Sequence, residues 1–318
     1  MRIRFNLLFV FLIFLIPFFA NAQNTQREEV VFRSGENILN GTLVLPEGKE
    51  NVPILVFIGG IDEWGDIHSQ RQNFIEQNFL EIFPPSGIGV FYYQPRGVGD
   101  SEGRWGRATF DDFATDAKSA ITYLQQRKEI DTNRIGIIGH GEDGWVAQIV
   151  ASTSPGMIKL VASLAGPTFD PFTLLVNEYH SEYVCNGQDS VAAREKAEQK
   201  AQSHQNWVSA IPITKRWRHM KMKLEFNPAP YIQDITIPAL FVFGENDNRI
   251  YEDWATEALE NMFNDEIPDN IATYQIAGAN HFFHVVPPCF NYDESNSVNL
   301  NFSFRFKEVL QEWIFENI

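Results

Sequence analysis

Gly139-His140-Gly141-Glu142-Asp143-Gly144 lies between two contrasting flanks. Before it runs Arg134-Ile135-Gly136-Ile137-Ile138, whose apolar character predicts a buried strand. After it runs Trp145-Val146-Ala147-Gln148-Ile149-Val150, which predicts a helix. A strand, a glycine-bounded elbow and a helix are the setting in which a fold presents a nucleophile on a sharp turn. The central position of this elbow is Gly141, which has no side chain.

On either side of the elbow the chain alternates apolar runs with amphipathic ones. Val30–Phe32 and Leu39–Leu45 flank a turn-rich stretch, Ser34-Gly35-Glu36-Asn37, and predict a hairpin. Val52–Ile58 and Ile88–Tyr93 read as strands buried on both faces, with helical potential between them over Gln70–Leu80. Phe113, Ala117, Ala120, Ile121 and Leu124 fall at helical spacing, and Thr109 with Asp112 predicts a capping box. Lys159–Leu164, Ile237–Phe243 and Ile271–Ile276 continue the strand rhythm, and Phe304–Ile314 closes it with an amphipathic helix. Residues 168 to about 235 break the pattern. Their Ala-, Glu-, Lys- and Gln-rich centre, Ser190–Ser203, predicts a helical insertion. Strands alternating with helices imply a mainly parallel sheet covered on both faces.

Hydrolysis from such an elbow needs an imidazole base, a carboxylate to orient it and backbone donors for an oxyanion. The expected chain order is nucleophile, acid, histidine. Asp247 follows a strand in Gly244-Glu245-Asn246-Asp247, and His281 follows the last strand in Gly278-Ala279-Asn280-His281. They are the candidate acid and base. His284 competes with His281, with the weaker position.

Gln94-Pro95-Arg96-Gly97-Val98-Gly99-Asp100-Ser101 resembles the R-G-x-G-x-S turn of secreted bacterial α/β-hydrolases of the esterase and serine-aminopeptidase-like group. The elbow and the turns at Asp247 and His281 match the same pattern, from about residue 28 to the C-terminus. The resemblance implies an α/β-hydrolase fold: a mainly parallel eight-stranded sheet with helices on both faces and a helical cap at about 168–235. It implies an ester, acyl or peptide-like ligand and no cofactor. It makes Ser101 a structural residue of its turn. It places the oxyanion donors at the backbone N–H groups of Glu142 and Ile61, with Gly60 as the neighbouring option.

Two positions depart from that pattern. Gly141 stands where the nucleophilic serine belongs, and Asp143 stands at the second small position. Together they suggest divergence. An engineered Ser→Gly change would account for Gly141 but not for Asp143. Glycine adopts the elbow's backbone conformation with little steric penalty, so the fold should survive the change. The chemistry should not. Loss of the serine in subtilisin costs about 2 × 10⁶ in kcat and leaves roughly 10³–10⁴ over water. The expectation is therefore a pseudo-hydrolase. The alternative is an active hydrolase using a water activated by His281, or Asp143 as an unusual nucleophile after a two-residue shift of the elbow. Glu142 should turn away from the cleft. No Cys/His or H-E-x-x-H pattern points to a metal.

The N-terminus reads as an export signal. Met1-Arg2-Ile3-Arg4 is basic, Phe5–Ala20 is almost wholly apolar, and Ala20-Asn21-Ala22 fits a cleavage site. An uncleaved anchor is the alternative, but the apolar run is short of the roughly 20 residues a span needs. The expected division is a signal at 1–22 and one domain at 23–318, exported, with no stable membrane span after cleavage. Residues 1–22 hold Arg2 and Arg4 and no acid, which leaves 23 basic against 41 acidic side chains, a net charge of −18. Such a surface disfavours nucleic acid. Cys185 and Cys289 could form a disulfide after export or remain two buried thiols.

Overall fold

The computed structural model describes residues 24–58, 69–210, 214–290 and 300–318. The stretch read as a signal, 1–22, lies outside them. Eight strands form one sheet: β1 (Thr25–Ser34), β2 (Asn37–Pro46), β3 (Val52–Ile58), β4 (Gly89–Tyr93), β5 (Ile130–His140), β6 (Leu160–Leu164), β7 (Ala239–Gly244) and β8 (Ile271–Ile276). Their order is β1-β2-β4-β3-β5-β6-β7-β8. β1 pairs antiparallel with β2, and β2 with β4; all other pairings are parallel.

The parallel strands are continuous apolar runs because helices cover both their faces. Every residue of β3, β6 and β7 is buried. One face packs against α2 (Phe110–Leu124), α3 (Asp143–Thr153) and α8 (Glu252–Met262). The other packs against α1 (Ser69–Ile75), its π-helical continuation Glu76–Leu80, and α9 (Phe304–Asn317). The capping box forms at the start of α2. Thr109 Oγ1 accepts from the N–H of Asp112, and the Asp112 carboxylate accepts from the N–H of Thr109. Four helices, α4 (Pro171–Cys185), α5 (Ser190–Ala210), α6 (Lys215–Leu224) and α7 (Ala229–Gln233), lie between β6 and β7.

A disulfide joins Cys185 to Cys289. It ties the end of α4 to the loop that follows His281. No helix among the described residues is long and apolar enough to cross a membrane.

Candidate active site

The elbow forms where the sequence places it. β5 ends at His140, α3 begins at Asp143, and Gly141 between them has φ +60°. That left-handed conformation suits glycine and strains any other residue. The turn is closed by Gly141 N–H donating to the carbonyl of Leu164 at 2.9 Å and by Gly144 N–H donating to that of Gly141 at 2.9 Å. Glu142, just ahead of α3, carries one of the backbone amides a helix leaves without an intrahelical acceptor.

Asp247 and His281 come together at the same end of the sheet. Asp247 follows β7 and is 1% exposed. Oδ1 accepts from the N–H groups of Arg249 (2.7 Å) and Ile250 (3.0 Å). Oδ2 takes the Nδ1–H of His281 at 2.8 Å. With its proton on Nδ1, a neutral His281 presents the lone pair of Nε2. That atom faces the elbow, 3.1 Å from the point where a β-carbon on Gly141 would stand. Among the described residues other than its chain neighbours His140 and Glu142, only Nε2 and Cε1 of His281 lie within 4 Å of that point.

His140 adds a contact that its place in the elbow does not disclose. Its Nε2 donates to the backbone carbonyl of His281 at 2.8 Å. A carbonyl only accepts, so this bond fixes the tautomer. Burial, and then the nearby His281, push the His140 imidazole well below its ordinary value, so it stays neutral. His284 takes no part in the pair. It stacks on Phe302 at 4.1 Å, and burial holds it down at about 4.

Asp143 has a place of its own. The turn packs closely around its backbone. A β-carbon on Gly144 would come 2.6 Å from Ser163 Oγ, and one on Gly139 would come 2.2 Å from the Asp143 carbonyl. The Asp143 side chain turns toward α1 and pairs with Arg71 at 3.4 Å, with Asp143 fully buried and Arg71 partly so. The Asp143 backbone thus carries the close contact with Gly139 of the strand, while its side chain is directed away from that contact to Arg71.

Glu142 points its carboxylate at the ammonium of Lys223 on α6, and the two are hydrogen-bonded. Burial pushes the Glu142 carboxyl up. The charge and hydrogen bond of Lys223 outweigh that and hold it below the usual range. The second oxyanion position, Ile61, and its neighbour Gly60 lie outside the described residues.

Ser101 sits where a structural residue of the Arg96 turn should. Its hydroxyl donates to the carbonyl of Gln94 at 2.7 Å and accepts from the N–H of Asn40 at 2.9 Å. Arg96 grips Asp116 through two 2.7 Å bonds. Gly97 has φ +76°, and a β-carbon there would come 2.4 Å from the N of Trp105, so this turn sets the position of Trp105.

Residue-by-residue reading missed His140, Arg71, His219 and Lys223. Only the last two left a signal: the basic run Lys215-Arg216-Trp217-Arg218-His219-Met220-Lys221-Met222-Lys223. No group of three or more possible metal ligands occurs among the described residues.

A family model described as X-Pro dipeptidyl-peptidase (S15 family) matches residues 37–266. Gly141 and Asp247 lie inside that span, and His281 lies beyond it. No curated protein matches the chain in sequence. In structure it is similar to the esterase Pf2001 of Pyrococcus furiosus, at 16% identity over 91% of each chain and a TM-score of 0.58. It is similar to Est1E of Butyrivibrio proteoclasticus, solved with ferulic acid bound, at 13% identity over 91% of this chain and 98% of that one (TM-score 0.56). It is also similar to the α/β-hydrolase GrgF of Penicillium sp. sh18, at 17% identity over 92% and 99% (TM-score 0.59). At these identities the likeness establishes the α/β-hydrolase fold.

Proposed function

The chain belongs to the S15 family of X-Pro dipeptidyl-peptidases, and on that premise we propose that it is an exported member without conventional serine hydrolysis. The elbow site keeps a ligand-binding role, toward an acyl, ester or peptide-like molecule. One observation carries this reading. His281, oriented by Asp247, directs Nε2 at Gly141, which has no hydroxyl to activate. Base and acid without a nucleophile leave only what binding and backbone donors supply.

Export is supported by the N-terminal sequence, and by the Cys185–Cys289 bridge, a bond that persists in oxidising compartments. The acidic balance of the chain suits solubility and gives no purchase on nucleic acid.

Fluorophosphonate probes test the proposal. The pure protein should take up no label, and covalent label on an elbow residue would overturn it. Gly141→Ser extends the test. If that variant gains label and esterase activity, the acid, base and oxyanion donors are still aligned.

A second reading is favoured by the His281 base itself: a water activated by Nε2 could attack an ester directly. Its measure is turnover of p-nitrophenyl esters by the wild type against His281→Ala. Equal rates would exclude this site as the source.

A further inference from the structure

α6 brings a surplus of hydrogen-bond donors under cover beside the elbow. It holds five of the chain's 25 lysines and arginines and no acid, in a protein of net charge −16. A basic run on a helix is ordinarily a solvated face. Here His219 and Lys223, one turn apart, are 6% and 7% exposed. The Lys223 ammonium bonds Glu142 and lies 5.9 Å from the ring centroid of Trp145. The His219 ring stacks on Trp105 at 4.4 Å. Phe110 bridges the two halves, 5.2 Å from Trp145 and 6.4 Å from His219.

The donors and acceptors do not balance. Lys223 has three N–H groups, and Glu142 is its hydrogen-bond acceptor. The indole Nε1 atoms of Trp105 and Trp145 and Nδ1 of His219 are buried with no hydrogen-bond partner. Burial lowers the His219 imidazole, so it is neutral and supplies one N–H. A buried donor left unmade costs roughly 1–3 kcal/mol, so a cluster of them calls for an acceptor. Arg249 adds a further positive charge near Glu142.

We propose that Lys223, Trp105, Trp145 and His219 form a binding site for the carboxylate group of a small ligand. This rests on the reading of the elbow as a ligand site, and it names the ligand's chemical class. A carboxylate is acceptor-only, with about four lone-pair sites, which matches the unmade indole N–H groups of Trp105 and Trp145 and the ammonium of Lys223. An amide would turn its own N–H groups on the donors, and an ammonium would meet Lys223 with like charge. Phe110 and Phe226, 4.7 Å apart, offer an apolar wall for a short acyl chain.

The test is calorimetric titration of the full disulfide-bonded chain with hexanoate, hexanamide and hexylammonium. Hexanoate should bind saturably at one site, about tenfold or more tighter than hexanamide, as a charge-assisted hydrogen bond supplies. Lys223→Met should abolish that preference, Lys223→Arg should keep it, and Trp105→Phe should weaken hexanoate several-fold. The double variant Glu142→Gln with Lys223→Met leaves no buried charge unpaired and should lose the preference in the same way. No saturable binding of hexanoate, equal binding of hexanamide, or an undiminished preference in Lys223→Met each overturns the carboxylate site. None of these touches fluorophosphonate labelling, which reads the nucleophile question separately.

Discussion

The imidazole of His140 holds the backbone of His281, with Nε2 2.8 Å from the His281 carbonyl oxygen. The residue just before the elbow glycine thus locates the candidate base, while Asp247 orients its ring. Strand β5 and the loop after β8 are joined through this contact.

His140→Phe should therefore displace His281 while keeping the ring contacts of His140 with Phe74 and Phe282, at 4.8 Å each. Losing one buried hydrogen bond and orphaning a carbonyl should cost about 1–3 kcal/mol. In a Gly141→Ser background the change should also reduce fluorophosphonate labelling. Unchanged labelling in the double variant would show that His281 keeps its place without His140.

Gly141→Ala should destabilise the protein by about 1–2 kcal/mol, because a β-carbon at φ +60° is strained. The same β-carbon stands 3.1 Å from His281 Nε2, so the ring must give by a few tenths of an ångström. Chemical denaturation of the two proteins measures the difference. Gly141→Ser should carry the same strain, so any esterase activity that variant shows would come with reduced stability.

Asp143→Gly recreates the small residue usual in such elbows, and it should nevertheless destabilise. It would leave the guanidinium of Arg71, whose side chain is 11% exposed, without its carboxylate. Removing one member of a buried pair costs about 3–5 kcal/mol, toward the lower end here because the 3.4 Å contact is long. Asp143→Asn should cost less. A neutral or stabilising Asp143→Gly would show that the Arg71 pair contributes nothing to the fold.

Acid should weaken the fold before its carboxylates titrate. Burial holds His284 at about 4, and His140 and His219 are lowered as well. Each imidazole takes up a proton near pH 6.5 once unfolded, and only at lower pH when folded. Their stabilising effect is complete above about 6.5 and is lost as pH falls from there toward 4. The thermal midpoint should drop across that window, and His284→Phe should flatten the drop. A midpoint constant from pH 7 to 5 would contradict this.

Reduction of Cys185–Cys289 should lower the thermal midpoint. The bridge closes a loop with a sequence separation of 104 residues, for which chain entropy predicts about 4.7 kcal/mol. Cys289→Ser should match the reduced wild type.

Much of this molecule was legible in its letters. Apolar runs gave the parallel strands because a strand covered on both faces must be apolar throughout, as β3, β6 and β7 are. Glycines gave the elbow, because a turn with positive φ excludes other side chains. Chain order pointed to Asp247 and His281, since each follows a strand at the same end of the sheet. The sequence by itself therefore determined the layers, the elbow and the glycine at its centre. Only the tertiary structure decided which distant groups meet. Arg71 with Asp143, His140 with the His281 carbonyl, Lys223 with Glu142, and Cys185 with Cys289 are separated by 72, 141, 81 and 104 residues. Local propensity and periodicity act over a turn or a strand, whereas these pairings follow from how helices dock on the finished sheet.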